Sequence, residues 1–285
     1  MQRKLVKQGI NQVTLCLPIK WVRSKGLKAG SEVEIEEVED KLLIGSKNKG
    51  TGKIKELNFH EAPKNLLRSA IASAYKNGYD EIRIVTKVEI SLSEINSIVN
   101  TFTGLEVVSS SQKQIIIKSF FSTTEEEIEK LIVKLFQIIN LIVQNIKSSS
   151  FNQNEMENLV QVNLRKLRDH LLRAISVHRY GGEKSYDYYD LITILEKIGA
   201  ELYLLGTELN KGKDKSSLKK IVPLLDLIEE SYHTYLKKEF SSADDFWLRV
   251  GKEKNKDLKF ELAEHRYYLI NLIRHLSSRI ISLNS

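Results

Sequence analysis

The sequence predicts a multidomain chain in three parts. They are a small β module over residues 1–46, a small α/β domain ordered βαβαββ over 53–121, and an all-α helical bundle over 123–285. Three observations carry this. Apolar residues alternate with polar ones at period two in the first part, as half-buried strands require. A polar, glycine-containing stretch at 46–52 separates the first part from the second. From Thr123 onward apolar residues recur every three or four positions without return to the strand period.

In the first part, 4–7 and 13–17 read as strands, and Pro18 ends the second because it lacks the amide proton a ladder needs. Residues 21–23 fit about one helical turn, and residues 27–31 turn the chain back. Residues 32–36 and 42–44 read as a strand pair around a turn at Glu39, Asp40 and Lys41. Charge is sharply divided. Residues 1–30 hold seven basic side chains and no acidic one, while 31–40 hold six acids and no base. A piece this small with its charge so separated has one face suited to an anion. Cys16, the single cysteine, sits among apolar strand residues and reads as a small buried hydrophobe; a reducing compartment, and a cytoplasmic location, fit one unpaired thiol.

In the second part, strands are expected at 54–57, 81–87, 105–108 and 114–117, with helices at 62–77 and 92–102 on one face of the sheet. Asn77 and Gly78 form a helix stop, and Ser91 or Ser93 a helix cap. The third part opens with Thr123 or Thr124 capping a helix whose first turn holds Glu125, Glu126 and Glu127, where acids suit the helix dipole. Helices follow at about 153–177, 188–209, 217–238 and 256–282, with a short one at 244–250. Pro223 falls in the first turns of its helix. Tyr188, Leu191, Leu195, Ile198, Leu202, Leu205 and Leu209 step by three and four, the stripe used by antiparallel bundles. The count suggests two unequal copies of a three-helix unit.

Net charge is +7, and the basic excess lies mostly in the first fifth of the chain, which favours a local basic module over general coating of nucleic acid. No signal peptide is expected, since charges and not an apolar run follow Met1. No apolar run spans a membrane; residues 128–146 come nearest, interrupted by Glu129, Lys130 and Lys134. No phosphate-binding glycine loop, HExxH or Ser/His/Asp order occurs, so no enzyme is expected. Glu155, Glu157 and Glu196 read as a solvated helix face, and His170, His178, His265 and His275 as partly buried residues without a partnering acid; no metal and no cofactor is expected.

The run from Val13 to Trp21 and the run Gly26-Leu27-Lys28-Ala29-Gly30-Ser31-Glu32-Val33-Glu34-Ile35 resemble the AbrB/SpoVT (MazE-like) swapped-hairpin DNA-binding family, over residues 3–46. The order of the three parts resembles archaeal PhoU-like phosphate-uptake regulators with a fused AbrB module. Family members bind metal clusters through acids one helical turn apart. This chain departs from that pattern: Gln153 precedes Glu157 by four residues and Ala200 follows Glu196 by four. The resemblance implies a homodimer through the N-terminal hairpins, contact with double-stranded DNA there, and a helical domain that senses a state or holds a protein partner, without membrane insertion. Arg3, Lys4, Lys7, Lys20, Arg23 and Lys25 are then the DNA-binding set, mainly through phosphates, with Arg23 or Arg3 reading bases. The function implied is a dimeric transcriptional regulator of phosphate uptake. The alternative is a protein-interaction regulator of a phosphate transporter or sensor kinase, with the hairpins serving only to dimerise. An antitoxin fits the module but not the long ordered remainder.

Overall fold

The computed structural model describes all of the 285 residues except 1, 25, 39–40, 47–51, 62, 121–122, 213–214 and 255–261. The chain is mixed α/β, with small sheets and a helical C-terminal region, and it divides into two compact units, Met1–Gly52 and Lys53–Ser285.

The first unit holds two separate two-stranded antiparallel sheets. β1 (Leu5–Lys7) pairs with β2 (Val13–Leu15), placing Leu5 opposite Leu15 and Lys7 opposite Val13. A short helix, α1 (Ile19–Ser24), follows Pro18. β3 (Val33–Val38) then pairs with β4 (Lys41–Ser46). The expected turn at Glu39 and Asp40, and most of the 46–52 linker, lie outside the described residues.

The second unit opens with the expected βαβαββ order: β5 (Ile54–Phe59), α2 (Lys64–Lys76), β6 (Glu81–Thr86), α3 (Leu92–Val99), β7 (Leu105–Ser110) and β8 (Gln114–Ser119). The strands lie in the order β5-β6-β8-β7, with β5 parallel to β6 and the other pairs antiparallel. The pleat sends Ile82, Ile84, Ile115 and Ile117 to one face. There they form one apolar cluster with Leu67, Ile71 and Tyr75 of α2 and Ile95 and Ile98 of α3. The opposite face carries Glu81, ion-paired to Arg83 at 2.6 Å and Lys118 at 3.2 Å. Helix α3 is shorter than the sequence suggests. Ser91 caps its start, accepting from Glu94 N at 3.2 Å, and Asn100 ends it, leaving Phe102 buried in the following turn.

A series of helical segments completes the unit around a second apolar cluster. The first is α4 (Glu125–Lys147), whose Glu127 accepts at 2.8 Å from the Thr124 amide. The second runs unbroken as α5 (Gln153–Asn158), a π-helical segment (Leu159–Leu164) and α6 (Arg165–His178). Val160 and Leu164 of the π segment share the buried face with Leu171 and Ala174. After it come α7 (Ser185–Gly212), α8 (Lys215–Lys237), α9 (Phe240–Lys254) and α10 (Ala263–Asn284). Helix α9 exceeds the short helix expected at 244–250, because Ala243, Phe246 and Val250 are all buried and a longer stretch has a face to hide. Pro223 lies inside α8, beyond its first turns, where it removes one backbone hydrogen bond. Residues 256–261, expected to begin the last helix, lie outside the described residues.

Buried charge ties these layers together. Arg173 of α6 donates to the carbonyls of Tyr75 (3.1 Å) and Tyr79 (2.7 Å) at the end of α2, and to Asp80 Oδ1 (2.7 Å). Its guanidinium also stands over the Tyr75 ring, 5.1 Å from the centroid. Beside it, His170 meets the Tyr75 hydroxyl at 3.2 Å and Thr123 Oγ1 at 2.8 Å. The sheet layer is thus fixed to α6 by polar contacts as well as by packing.

Candidate nucleic-acid interface

The N-terminal unit is shaped by local signals. The β1–β2 turn closes with Gln8 N–H donating to Gln12 O at 2.8 Å, and Thr14 Oγ1 donates back to Val6 O at 3.2 Å. At the end of α1, Gly26 N–H donates to Arg23 O (3.1 Å) and Leu27 N–H to Val22 O (3.0 Å), the paired bonds of a Schellman stop. That stop needs a left-handed residue, and Gly26 supplies it at φ 64°. A second turn follows, with Ser31 N–H donating to Lys28 O at 2.9 Å and Gly30 at φ 84°, as the third position of a type II turn requires. The two glycines therefore set the angle between α1 and β3.

The candidate DNA-binding residues fall as follows. Arg3 and Lys4 precede β1, and Lys7 ends it. Lys20 and Arg23 lie three residues apart on α1, on one helical face. All five are exposed, and none makes an ion pair with an acid among the described residues. Lys25 lies outside the described residues. The structure groups Lys20 with Arg23 on α1, while of Arg3, Lys4 and Lys7 only Lys7 belongs to a strand.

Among the described residues no side chain of this unit is buried. Leu5 is 64% exposed, Val13 63%, Ile35 62% and Leu42 63%. Cys16 corrects the sequence reading: it is exposed, because a two-stranded sheet in a single chain has nothing to cover it.

Elsewhere, Glu196 and His265 depart from expectation. Glu196 is not on a solvated face. It is buried on α7 and ion-paired to Arg168 at 3.1 Å and Arg165 at 3.5 Å, with Asp169 held by the same Arg168 at 2.9 Å. Glu155 and Glu157 are exposed. His265 does have a partnering acid: its Nδ1 lies 2.7 Å from Glu201 Oε1. His170 is buried with both ring nitrogens in hydrogen bonds. Since the Tyr75 hydroxyl donates to Thr103 O at 2.8 Å, it accepts from Nδ1–H, and Nε2 accepts from Thr123. Burial, reinforced by Arg173, pushes the His170 pKa down to about 4, so the ring is neutral. Among the described residues no three His, Cys, Asp or Glu side chains gather where they could hold a metal ion, and no helix is long and apolar enough to cross a membrane.

Sequence reasoning missed one gathering of cations. Lys130, Lys134 and Lys166 line a groove of the second unit. In the sequence Lys130 and Lys134 served only as interruptions of an apolar run. Their spacing of four, beside Leu131 and Ile138, was the signal that they share a wetted edge of an otherwise buried helix.

No family model, curated protein or solved structure matches the chain.

Proposed function

We propose that the protein is a dimeric DNA-binding transcriptional regulator whose N-terminal units, from two chains, form one basic surface for duplex DNA. The observation that carries this reading is the N-terminal unit itself. It exposes its apolar side chains on both hairpins and its cations together. Burying one Leu, Ile or Val side chain is worth about 1.5–3 kcal/mol, and a chain that forgoes this at Leu5, Val13, Ile35 and Leu42 gains it by pairing with a second copy. Pairing would also double a cationic set that meets no counter-charge of its own among the described residues. Phosphates are the ligands such a set fits, and Arg23 or Arg3 is the residue proposed to read a base edge. The helical region of the second unit then serves as sensor or partner-binding part. By the resemblance of the domain order, the genes under control concern phosphate uptake.

The test is a titration of fluorescent duplex DNA with the full chain, with its Lys20→Glu/Arg23→Glu variant, and with a chain starting at Lys53, at several salt concentrations. The full chain is expected to bind, losing about a thousandfold in affinity or more between 50 and 200 mM salt. The charge-reversed and shortened chains are expected not to bind. Equal binding by all three, or none by the full chain at low salt, sinks this reading and leaves the hairpins as a dimerisation device for a protein-interaction regulator.

A further inference from the structure

The groove lined by Lys130, Lys134 and Lys166 is formed wholly within the second unit and encloses about 670 Å³. It lies between two stripes. One is on α4, where Glu127, Lys130, Leu131, Lys134 and Ile138 recur at helical spacing. The other is on the segment that joins the π turn to α6, where Leu159, Asn163, Lys166, Leu167 and His170 do the same. Thr103 of the sheet layer closes one end. The two helical segments are joined by residues 148–152 alone, so they run in opposite directions.

Three properties define what this groove accepts. First, its floor is apolar. Leu131, Ile138, Leu159 and Leu167 pack on the bundle core yet remain only partly buried, each keeping a surface toward the groove. Second, its charge is one-sided. Among the described residues three lysines line it against one acid, and that acid, Glu127, is already engaged by the Thr124 amide at 2.8 Å. Lys130 and Lys134 make no hydrogen bond or ion pair with a described residue. Lys166 gives one bond to Asn100 O at 3.3 Å, which leaves donors to spare. Third, its polar wall is fixed. His170 is held neutral between Tyr75 and Thr123, so it adds no charge and cannot swing out.

The π turn is part of this wall. A π-helical turn is costly in isolation and concentrates at functional sites. Here Leu159 and Asn163 lie on the groove while Val160 and Leu164 stay in the core. We propose that this groove binds a small amphipathic organic anion, a carboxylate or phosphate head on an apolar body, with Lys130, Lys134 and Lys166 around the head and Leu131, Ile138, Leu159 and Leu167 along the body. The volume falls within the range of small-molecule sites. The occupant touches α4, the π turn, α6 and the sheet layer at once. It therefore acts on the contact between the two apolar cores of this unit, the place from which an effector could be felt. Binding at this groove does not depend on the DNA reading and is tested without DNA.

The test uses three probes with one body and different heads: decanoate and decyltrimethylammonium below their micelle concentrations, and decanol below its solubility limit. Each is titrated calorimetrically into the full chain and into its Lys130→Ala/Lys134→Ala variant. Both lysines are exposed and make no hydrogen bond or ion pair with a described residue, so the variant keeps its fold; an unchanged melting temperature verifies this. Decanoate is expected to bind one per chain. Decanol is expected to bind about tenfold more weakly or worse, and the cation not to bind, since charge-assisted bonds to the head are lost. The double variant is expected to lose about tenfold in decanoate affinity. Methyl resonances of Ile138 and Leu159 are expected to move with saturation. No decanoate binding, equal binding of the three heads, unchanged affinity in the folded variant, or shifts confined to other methyls would overturn the proposal.

Discussion

His170 concentrates the logic of the second unit in one side chain. Its ring joins α2 through Tyr75 and the start of the bundle through Thr123, and Arg173 lies in the same cluster. The charged groups acting on it are Arg173, which opposes protonation, and Glu127, which weakly favours it; burial outweighs both. A histidine whose folded pKa falls from 6.5 to about 4 binds fewer protons folded than unfolded across that interval. Its stabilisation is therefore complete above about pH 6.5 and is lost as the pH falls toward 4, on the order of 3 kcal/mol in total. His170→Gln, which keeps a donor and an acceptor without the titration, is expected to melt with a shallower pH dependence between 6.5 and 4. Parallel profiles for variant and wild type in chemical denaturation would contradict the assignment. The sequence made His170 legible only in part. Its apolar neighbours Leu171 and Leu172 mark burial, but its partners stand 95 and 47 residues away, and no local spacing encodes them. Glu196 misled for the same reason. It sits beside Leu195 and Ile198 on the buried stripe of α7, and only the facing Arg165 and Arg168 make that position tolerable for an acid.

At the scale of elements, periodicity was enough to place the strands of the small sheet and the helices of the bundle, because each has one face to bury and the pattern records which. It did not disclose breaks in the pattern. The π turn at Leu159–Leu164 adds residues without a change of composition, and Pro223 inside α8 follows no cap signal. Helix α7 shows how packing overrules propensity. Gly206 is a poor helix former, yet a Cβ there would lie 2.6 Å from Phe151 Cδ2. Phe151 is buried where the chain enters α5, and Asn210 Nδ2 donates to its carbonyl at 2.8 Å. Propensity alone would have Gly206→Ala stabilise α7 by about 1 kcal/mol. Overpacking against this buried ring costs about 1–3 kcal/mol, so the net effect is expected to be destabilising. Thermal denaturation of the variant decides the sign: a raised melting temperature would show that the ring can move aside.

For the whole molecule, the decisive contrast is between its two units. The unit from Lys53 onward holds two apolar clusters with side chains fully removed from water, whereas no described side chain of the first fifty-two residues is buried. A β module of this size cannot supply its own core, and two-stranded sheets are at best marginal alone. If a second copy completes it, association and DNA binding must fail together while the second unit stays intact. Val13 and Leu15 are the residues to change. Both belong to β2, are exposed at 63% and 44%, and carry no charge that could itself hold DNA. In a monomeric protein, Val13→Asp/Leu15→Asp would be nearly neutral, since surface substitutions away from special features change stability by about 0.5 kcal/mol or less. In the paired arrangement the two carboxylates are driven into an apolar contact without partners, and the pair separates. Sedimentation equilibrium is expected to give twice the 32.8 kDa chain mass for the wild type and the single mass for the variant. Duplex affinity is expected to fall by at least about a hundredfold, because two linked half-sites bind far more tightly than either alone. The melt of the helical region, followed by circular dichroism, should stay where it was. A wild type that sediments at the single chain mass would remove the dimer from the proposal, and a variant that still pairs would move the contact away from β2.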